Sequence, residues 1–355
     1  MSIFKSIFEK IKENNLEAFL FSSKANTFYL THFSSSNAYV VLTSQGEKYF
    51  FTDARYYEGA KEKLKDWNTV LLKSGVKELK EFLDKNFNKI GFEKDHFTID
   101  SFERFTQGTN LKNKLTGFTG FLNDIRVSKT QEEIELITVA VRQIDNVFKK
   151  ILNEIREATT ELDVRRRIIN YIFEEGGTGE SFPAIVASGK HSAIPHWETS
   201  NSKIEWNSVL LIDMGSVYNG YCSDFTRTIF LGEVDPELEE IYYIVKEAHE
   251  NAIKAVKAGV KAKDIDIAAR DVIEKAGYGD YFIHSTGHGI GVEIHEFPRI
   301  HKNSEEIIKE NTVFTIEPGI YLPEKGGVRL ENIVVAKKDG AQVLTQTPLD
   351  LIKIK

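Results

Sequence analysis

Four carboxylates and one imidazole stand in the C-terminal half of this chain, inside stretches that otherwise read as folded core: Asp213, Asp224, Glu317, Glu331 and His288. An unpaired charge buried in such a place costs several kcal/mol. Two divalent cations would neutralise the four negative charges. The pattern therefore predicts a dinuclear metal site, and with it hydrolytic chemistry.

The segment around Asn219-Gly220 bears on whether two of these acids can meet. Asn-Gly is the favoured centre of a two-residue hairpin turn. With the turn centred there, Gly215 lies opposite Asp224, and Asp213, two residues from Gly215, shares its face. The two carboxylates become diagonal neighbours, close enough to bridge or flank two cations. A slip of one residue would put them on opposite faces. One imidazole among four carboxylates is a hard, oxygen-dominated set that suits Mn(II), Co(II) or Fe(II), with Zn(II) also open.

Taken singly, these residues have plainer readings. An Asp at a strand end is usually a turn cap, and a Glu on a strand is usually solvated. Gly287, Gly289 and Gly291 suggest a phosphate loop, but no Walker-type Lys-Ser/Thr follows. His295-Glu296 does not open a zincin motif, because Phe297-Pro298 replaces the helix and no second histidine follows at the required spacing.

A length of 355 residues exceeds one ordinary core and predicts two domains. Hydrophobic content of 41% and charged content of 28% fit a soluble globular protein. The net charge of -7, with no dense basic stripe, argues against nucleic-acid or anionic-membrane partners. Cys222 is the lone cysteine, no apolar run reaches membrane-spanning length, and the N-terminus lacks a signal-peptide core. A cytoplasmic location is expected.

Along the chain, a helix is expected from Ser2 to Lys12, then a buried strand over 18–21. A hairpin of 39–42 with 48–51 flanks Gln45-Gly46. A helix over 54–65, a strand over 69–72 and a helix over 76–87 complete a small α/β domain. Turn formers without periodicity between Phe105 and Asn123 mark a junction, giving domains 1–122 and 123–355. Ser128 and Gln131 resemble a capping box before a long helix whose apolar positions run from Ile134 to Ile151. Helices over 161–175, 236–258 and 262–276 are expected. With them come strands over 185–188, 209–214, 222–230, 313–316 and 328–335, which make the second domain α+β.

Five ordered motifs, Asp213-Met-Gly, Tyr221-Cys-Ser-Asp-Phe-Thr-Arg-Thr, Gly287-His-Gly-Ile-Gly, Ile316-Glu-Pro-Gly and Val328-Arg-Leu-Glu-Asn, resemble the metallopeptidases of the pita-bread fold. The resemblance is to the Xaa-Pro peptidase branch, aminopeptidase P and prolidase, and covers nearly the whole chain. It implies a C-terminal pita-bread (creatinase/aminopeptidase) catalytic domain behind a smaller creatinase-type N-terminal domain. It also implies that Asp213 and Asp224 ligate one cation, that Asp224 and Glu331 bridge to the second, and that His288 and Glu317 complete that second shell. Two divalent metal ions per subunit are the expected cofactors, Mn(II) first, with Co(II), Fe(II) and Zn(II) open.

The same resemblance makes His196 a substrate-positioning and transition-state histidine and His295 a second one near the leaving group. His284 and Arg329 become supporting residues near the substrate. Glu317, beside the solvent that the two cations would share, is a candidate proton shuttle. The implied substrate is a proline-containing peptide or dipeptide, cut between the first residue and proline by a homodimer. Asn332 stands where relatives often carry Asp, beyond the ligand itself. His32, His96, His191, His249 and His301 are read as surface or packing residues, and Cys222 as packing. Methionine aminopeptidase and creatinase-like activities fit less well: the first normally lacks this N-terminal domain and the second does without the metal pair. The alternative of another class is a non-catalytic pita-bread binding module, for which loss of ligands is the expected mark.

Overall fold

Phe19, Leu20 and Phe21 have no exposed surface, because the strand they form lies in the middle of a six-stranded sheet. The structure, a computed structural model, describes residues 3–355. They fall into two compact units, one ending at Arg126 and the other beginning at Val127.

The first unit runs α1 (Ile3–Glu13), β1 (Ala18–Phe21), α2 (Lys24–Thr31), β2 (Ala38–Thr43), β3 (Lys48–Asp53), α3 (Tyr57–Lys63) and β4 (Asn68–Leu72). It continues through α4 (Lys77–Asn86), β5 (Ile90–Glu93), α5 (Ile99–Thr106), α6 (Leu111–Lys114), β6 (Leu115–Phe118) and α7 (Asn123–Arg126). Its sheet has the order β4-β3-β2-β1-β5-β6 and mixes parallel with antiparallel pairs. The hairpin expected around Gln45-Gly46 is β2–β3, with Gly46 at a φ of 94°. Ser2, where the first helix is expected to begin, lies outside the described residues. The stretch read as irregular between Phe105 and Asn123 supplies β6 to the edge of this sheet.

The second unit opens with α8 (Gln131–Glu154), α9 (Glu161–Glu174), β7 (Ile185–Ser188), β8 (Ser208–Met214), β9 (Val217–Tyr218), β10 (Tyr221–Cys222) and β11 (Phe225–Leu231). The helices α10 (Pro236–Ala255) and α11 (Ala262–Lys275) follow, then β12 (Gly287–Gly289), β13 (Glu296–Ile300), β14 (Val313–Ile316) and β15 (Gly319–Leu322). The chain closes with β16 (Gly326–Arg329), β17 (Asn332–Lys337), β18 (Gly340–Val343) and β19 (Lys353–Ile354). The cap of α8 differs from expectation: Thr130 and Glu133 form the capping box, while the Ser128 hydroxyl donates to the Glu310 carbonyl. Thr130 has the required three-residue spacing to a glutamate that reaches back to its amide.

Two main sheets, β19-β11-β8-β7 and β13-β12-β14-β17-β18, are each backed by a pair of helices. Ile144, Phe148 and Ile151 of α8 and Val164 and Ile168 of α9 pack on Leu210, Ile212 and Met214 of β8. Ile241, Val245, Ile265 and Ala269 of α10 and α11 pack on Phe314, Ile316 and Val334. Because strand residues alternate faces, burying Leu210, Ile212 and Met214 under α8 and α9 turns Asp213 away from that core. His249 on α10 is a packing residue, buried so completely that its imidazole is pushed down to about 3.

Candidate active site and metal centre

The expected turn forms at Asn219-Gly220, both residues taking positive φ (46° and 81°) as a type I′ turn demands. Tyr218 pairs with Tyr221 and Val217 with Cys222; beyond an interruption, Met214 pairs with Phe225 and Asp213 with Thr226. One register runs through the whole hairpin, so Asp224, two residues before Thr226, shares the face of Asp213. Asp224 itself lies in the gap between β10 and β11, where a continuous strand is expected from sequence. Glu331 likewise lies in a gap, between β16 and β17, and not on the single strand expected over 328–335. Its backbone N–H donates to the Thr226 carbonyl, which draws it towards Asp213 and Asp224.

Carboxylate oxygens of Asp213, Asp224 and Glu331 lie within 4.8 Å of one another. Glu317 follows β14, and His288 sits on β12 with its Nε2 3.4 Å from Asp224 and 3.3 Å from Glu317. The glycines around His288 serve close packing and not phosphate binding. A Cβ on Gly287 would stand 1.9 Å from the Thr315 carbonyl oxygen, and one on Gly289 would stand 2.1 Å from that of Phe297. All nine candidate residues, including His196, His284, His295 and Arg329, line one cavity of about 710 Å³. Apolar walls from Phe182, Ile185, Trp197, Ile294 and Phe297 complete it.

Each acid is held through one of its oxygens. Arg329 donates to Asp213 Oδ2 at 2.6 Å, Thr226 to Glu331 Oε2 at 2.8 Å, and Thr315 to Glu317 Oε1 at 3.0 Å. The Phe225 amide donates to Asp224 Oδ1 at 3.0 Å. Asp213 Oδ1 and Glu331 Oε1 are among the few buried side-chain atoms of the described residues with no hydrogen-bond partner. Burial leaves the carboxyls proton-hungry. It raises Asp213 to about 6, helped by Asp224 and opposed by Arg329, and Glu317 to about 7 against the pull of His288. Glu331 is raised well above its ordinary value by burial and by its three acidic neighbours.

His288 gives the same indication. Its Nδ1 lies 3.1 Å from the Gly289 carbonyl, an acceptor, so Nδ1 carries a proton and Nε2 faces two carboxylates. Burial works against a charge on this ring. The hydrogen bond to Asp224 and the field of Glu317 outweigh it, raising the imidazole to about 9. Without a metal the ring so raised carries a proton on Nε2 as well and donates it towards the two carboxylates; a divalent cation between them would take that proton's place. The orphaned oxygens, the proton-hungry acids and this ring all fit divalent metal ions.

The other histidines differ in what they have free. His284 is committed: its Nδ1 lies 2.8 Å from the Ser285 carbonyl and its Nε2 2.8 Å from Tyr321 Oη. Burial and the Arg329 charge push it down to about 3. Tyr321 in turn accepts from Arg329 at 2.7 Å, linking His284 to Asp213 through one chain. His295 lies edge-on to His288, ring centres 4.4 Å apart, and burial followed by the His288 charge lowers its pKa. Thr226, Thr315, Tyr321 and Arg299 are site residues beyond those expected from the sequence. Thr226 and Thr315 stand two residues from Asp224 and Glu317, so strand alternation alone carried a signal for them. Arg299 lines the cavity from β13, an element not foreseen.

Residues 135–338 match the model of metallopeptidase family M24, and residues 4–128 match the creatinase/prolidase N-terminal domain. The chain belongs to metallopeptidase family M24. It is a metal-dependent hydrolase, with a creatinase-type N-terminal domain followed in the sequence by a pita-bread catalytic domain. Over 340 residues it is 37% identical to a protein of Pyrococcus furiosus called Xaa-Pro dipeptidase, covering 96% of each chain. The solved Xaa-Pro dipeptidase from Bacillus anthracis superposes with a TM-score of 0.95 at 33% identity, over 100% of this chain and 99% of that one. The X-Pro aminopeptidase from Thermotoga maritima superposes with a TM-score of 0.89 at 34% identity, over 98% and 100%. Family M24 relatives of both descriptions thus share this architecture.

Proposed function

We propose that this M24 hydrolase is an exopeptidase that cuts between an N-terminal residue and a following proline, with dipeptides as its preferred substrates. The observation that carries the reading is one cavity lined by Asp213, Asp224, Glu317, Glu331 and His288, with His196 and His295 beside them and partnerless carboxylate oxygens within. Two divalent ions, manganese foremost, would bring four positive charges to this set of four acids, of which Asp213 is also paired with Arg329. Such ions supply Lewis-acid activation of water and of the scissile carbonyl near neutral pH.

The residues themselves divide the remaining work. Asp213, Asp224, Glu331, Glu317 and His288 are the ligands, oriented by Arg329, Thr226 and Thr315. Glu317, which lies beside His288 at the cluster, would take a proton from the attacking water and deliver it to the proline nitrogen. His196 would donate to the carbonyl oxygen as negative charge develops there, and His295 would steady the leaving-group end. Arg299, on the cavity wall, supplies a positive charge suited to a dipeptide's terminal carboxylate. The apolar walls exclude water and receive the first side chain and the proline ring. The names of the relatives support the proline preference, and the resemblance supports a homodimer in the cytoplasm.

The test compares Ala-Pro with Ala-Pro-Ala as substrates of the Mn-loaded protein, with an EDTA-treated control. Metal-dependent release of proline from Ala-Pro, faster than cleavage of the tripeptide, is expected. Faster cleavage of Ala-Pro-Ala would reassign the chain as an aminopeptidase, and failure on both would overturn the reading. Light scattering checks the dimer.

A further inference from the structure

The strap from Gly189 to Asn207 carries Pro195, His196 and Trp197 into the cavity. After a short 3-10 turn over Gly189–Ala193 it has no regular secondary structure of its own beyond a single bridge from Lys203 to Thr160. It is held instead along the open edge of β7, the last strand of its sheet. Edge amides need partners, and two side chains supply them. The Val186 amide donates to Thr199 Oγ1 at 2.9 Å, and the Ser188 amide donates to Glu161 Oε1 at 3.0 Å. Thr199 then donates to the Ala184 carbonyl at 2.9 Å.

Glu161, the first residue of α9, has no exposed surface. Besides Ser188, its Oε1 meets His191 Nδ1 at 2.7 Å. Its Oε2 accepts from Trp197 Nε1 at 2.9 Å, from the Ser200 amide at 3.2 Å and from the Ser200 hydroxyl at 2.9 Å. The His191 ring stacks on the Trp197 indole, centres 3.8 Å apart and planes 17° from parallel. A wholly buried carboxylate is tolerated only with such a complement of donors, and the N-terminal turn of α9 favours its charge further. This one group therefore ties the edge strand, the 3-10 turn and both sides of His196 together.

We propose that Glu161 is a positioning residue for the reaction: through Trp197, Ser200 and His191 it sets the strap so that His196 reaches the scissile carbonyl. The proposal rests on the Xaa-Pro exopeptidase reading, in which His196 meets the substrate. No metal ligand lies on the strap, so loss of Glu161 acts on turnover and not on metal content. Gln at 161 keeps the size but turns an NH2 group towards donors. Asp keeps the charge and withdraws it by one methylene.

The experiment uses the full-length Mn-loaded protein and its E161Q, E161D, H196A and E161Q/H196A variants. With Ala-Pro, E161Q is expected to lower kcat ~100-fold, the cost of about an ångström of misplacement. KM should change less, bound metal should be unchanged, and E161D should recover part of the loss. In the H196A background the E161Q effect should vanish, because the two act through one contact. Hydrogen exchange should accelerate over residues 188–200 in E161Q and stay unchanged around Asp213 and Glu331. Wild-type kcat in E161Q, a full additional loss in the double variant, or loss of metal would overturn the proposal. Should the wild-type protein leave Xaa-Pro peptides intact, the functional reading fails by itself. Exchange then decides the tether alone, and unchanged exchange over 188–200 overturns it.

Discussion

Single hydrogen bonds decide which oxygen of each acid is available at this site. Thr226 is the economical case: its hydroxyl donates to Glu331 Oε2 and accepts from Arg329 Nε at 3.1 Å, so one side chain steadies two members of the cluster. Thr226→Val keeps the shape and removes both bonds. Metal affinity should fall ~10–100-fold, the range for lost orienting partners, and titration by calorimetry or metal-sensitive dye checks it. His196 and His295 contrast with this residue. Both line the cavity without being ligands, so His196→Ala and His295→Ala should retain bound metal while kcat drops, ~100-fold or more where an oxyanion contact is lost. Normal turnover in either variant would remove that histidine from the mechanism.

At the scale of elements, the hairpin of β8 to β11 delivers two acids to one point because its turn fixes its register. Gly220, at a φ of 81°, occupies backbone that a β-branched residue tolerates poorly. Gly220→Val should cost about 1–2 kcal/mol, lowering Tm and metal affinity together, since any register change moves Asp213 and Asp224 apart. A variant with unchanged melting and metal content would show that pairing from Asp213–Thr226 outward sets the register without the turn. This hairpin was readable from Asn-Gly and alternation. By contrast, β12 was not: Gly-His-Gly looks like a turn, and only the close approach of Thr315 and Phe297 makes glycine obligatory in a strand there. The gaps at Asp224 and Glu331 were also hidden, because the local sequence stays strand-like through both.

For the whole molecule, the acid cluster links folding to metal and to pH. In metal-free protein Asp213 rises from 3.8 to about 6 and Glu317 from 4.5 to about 7. Folded-state values above the unfolded ones mean that the folded chain holds extra protons. The contribution of these groups is therefore fully present below pH about 4 and is lost as pH rises through about 6–7. Cations replace those protons and bind better as pH rises. The gap in Tm between loaded and chelated protein should widen from pH about 5 to about 8, because other titrating groups cancel in the comparison. A gap that narrows over that range would contradict the cluster's protonation.

Composition, strand alternation and five ordered motifs were enough for the α+β class, the hairpin register and the identity of the acids gathered in the cavity. All of these are local, set by turn chemistry and a period of two, or carried by family resemblance. Tertiary structure alone decided how each acid is used. Arg329, Tyr321 and His284 meet only because β15 and β16 pack beside β8 and the segment that leads into β12. The role of Glu161 is invisible along the chain for the same reason: it lies 27 to 39 residues from its partners, and nothing in its local pattern marks it. Periodicity tells which way a side chain points; burial against distant segments determines which of its atoms remain free for chemistry.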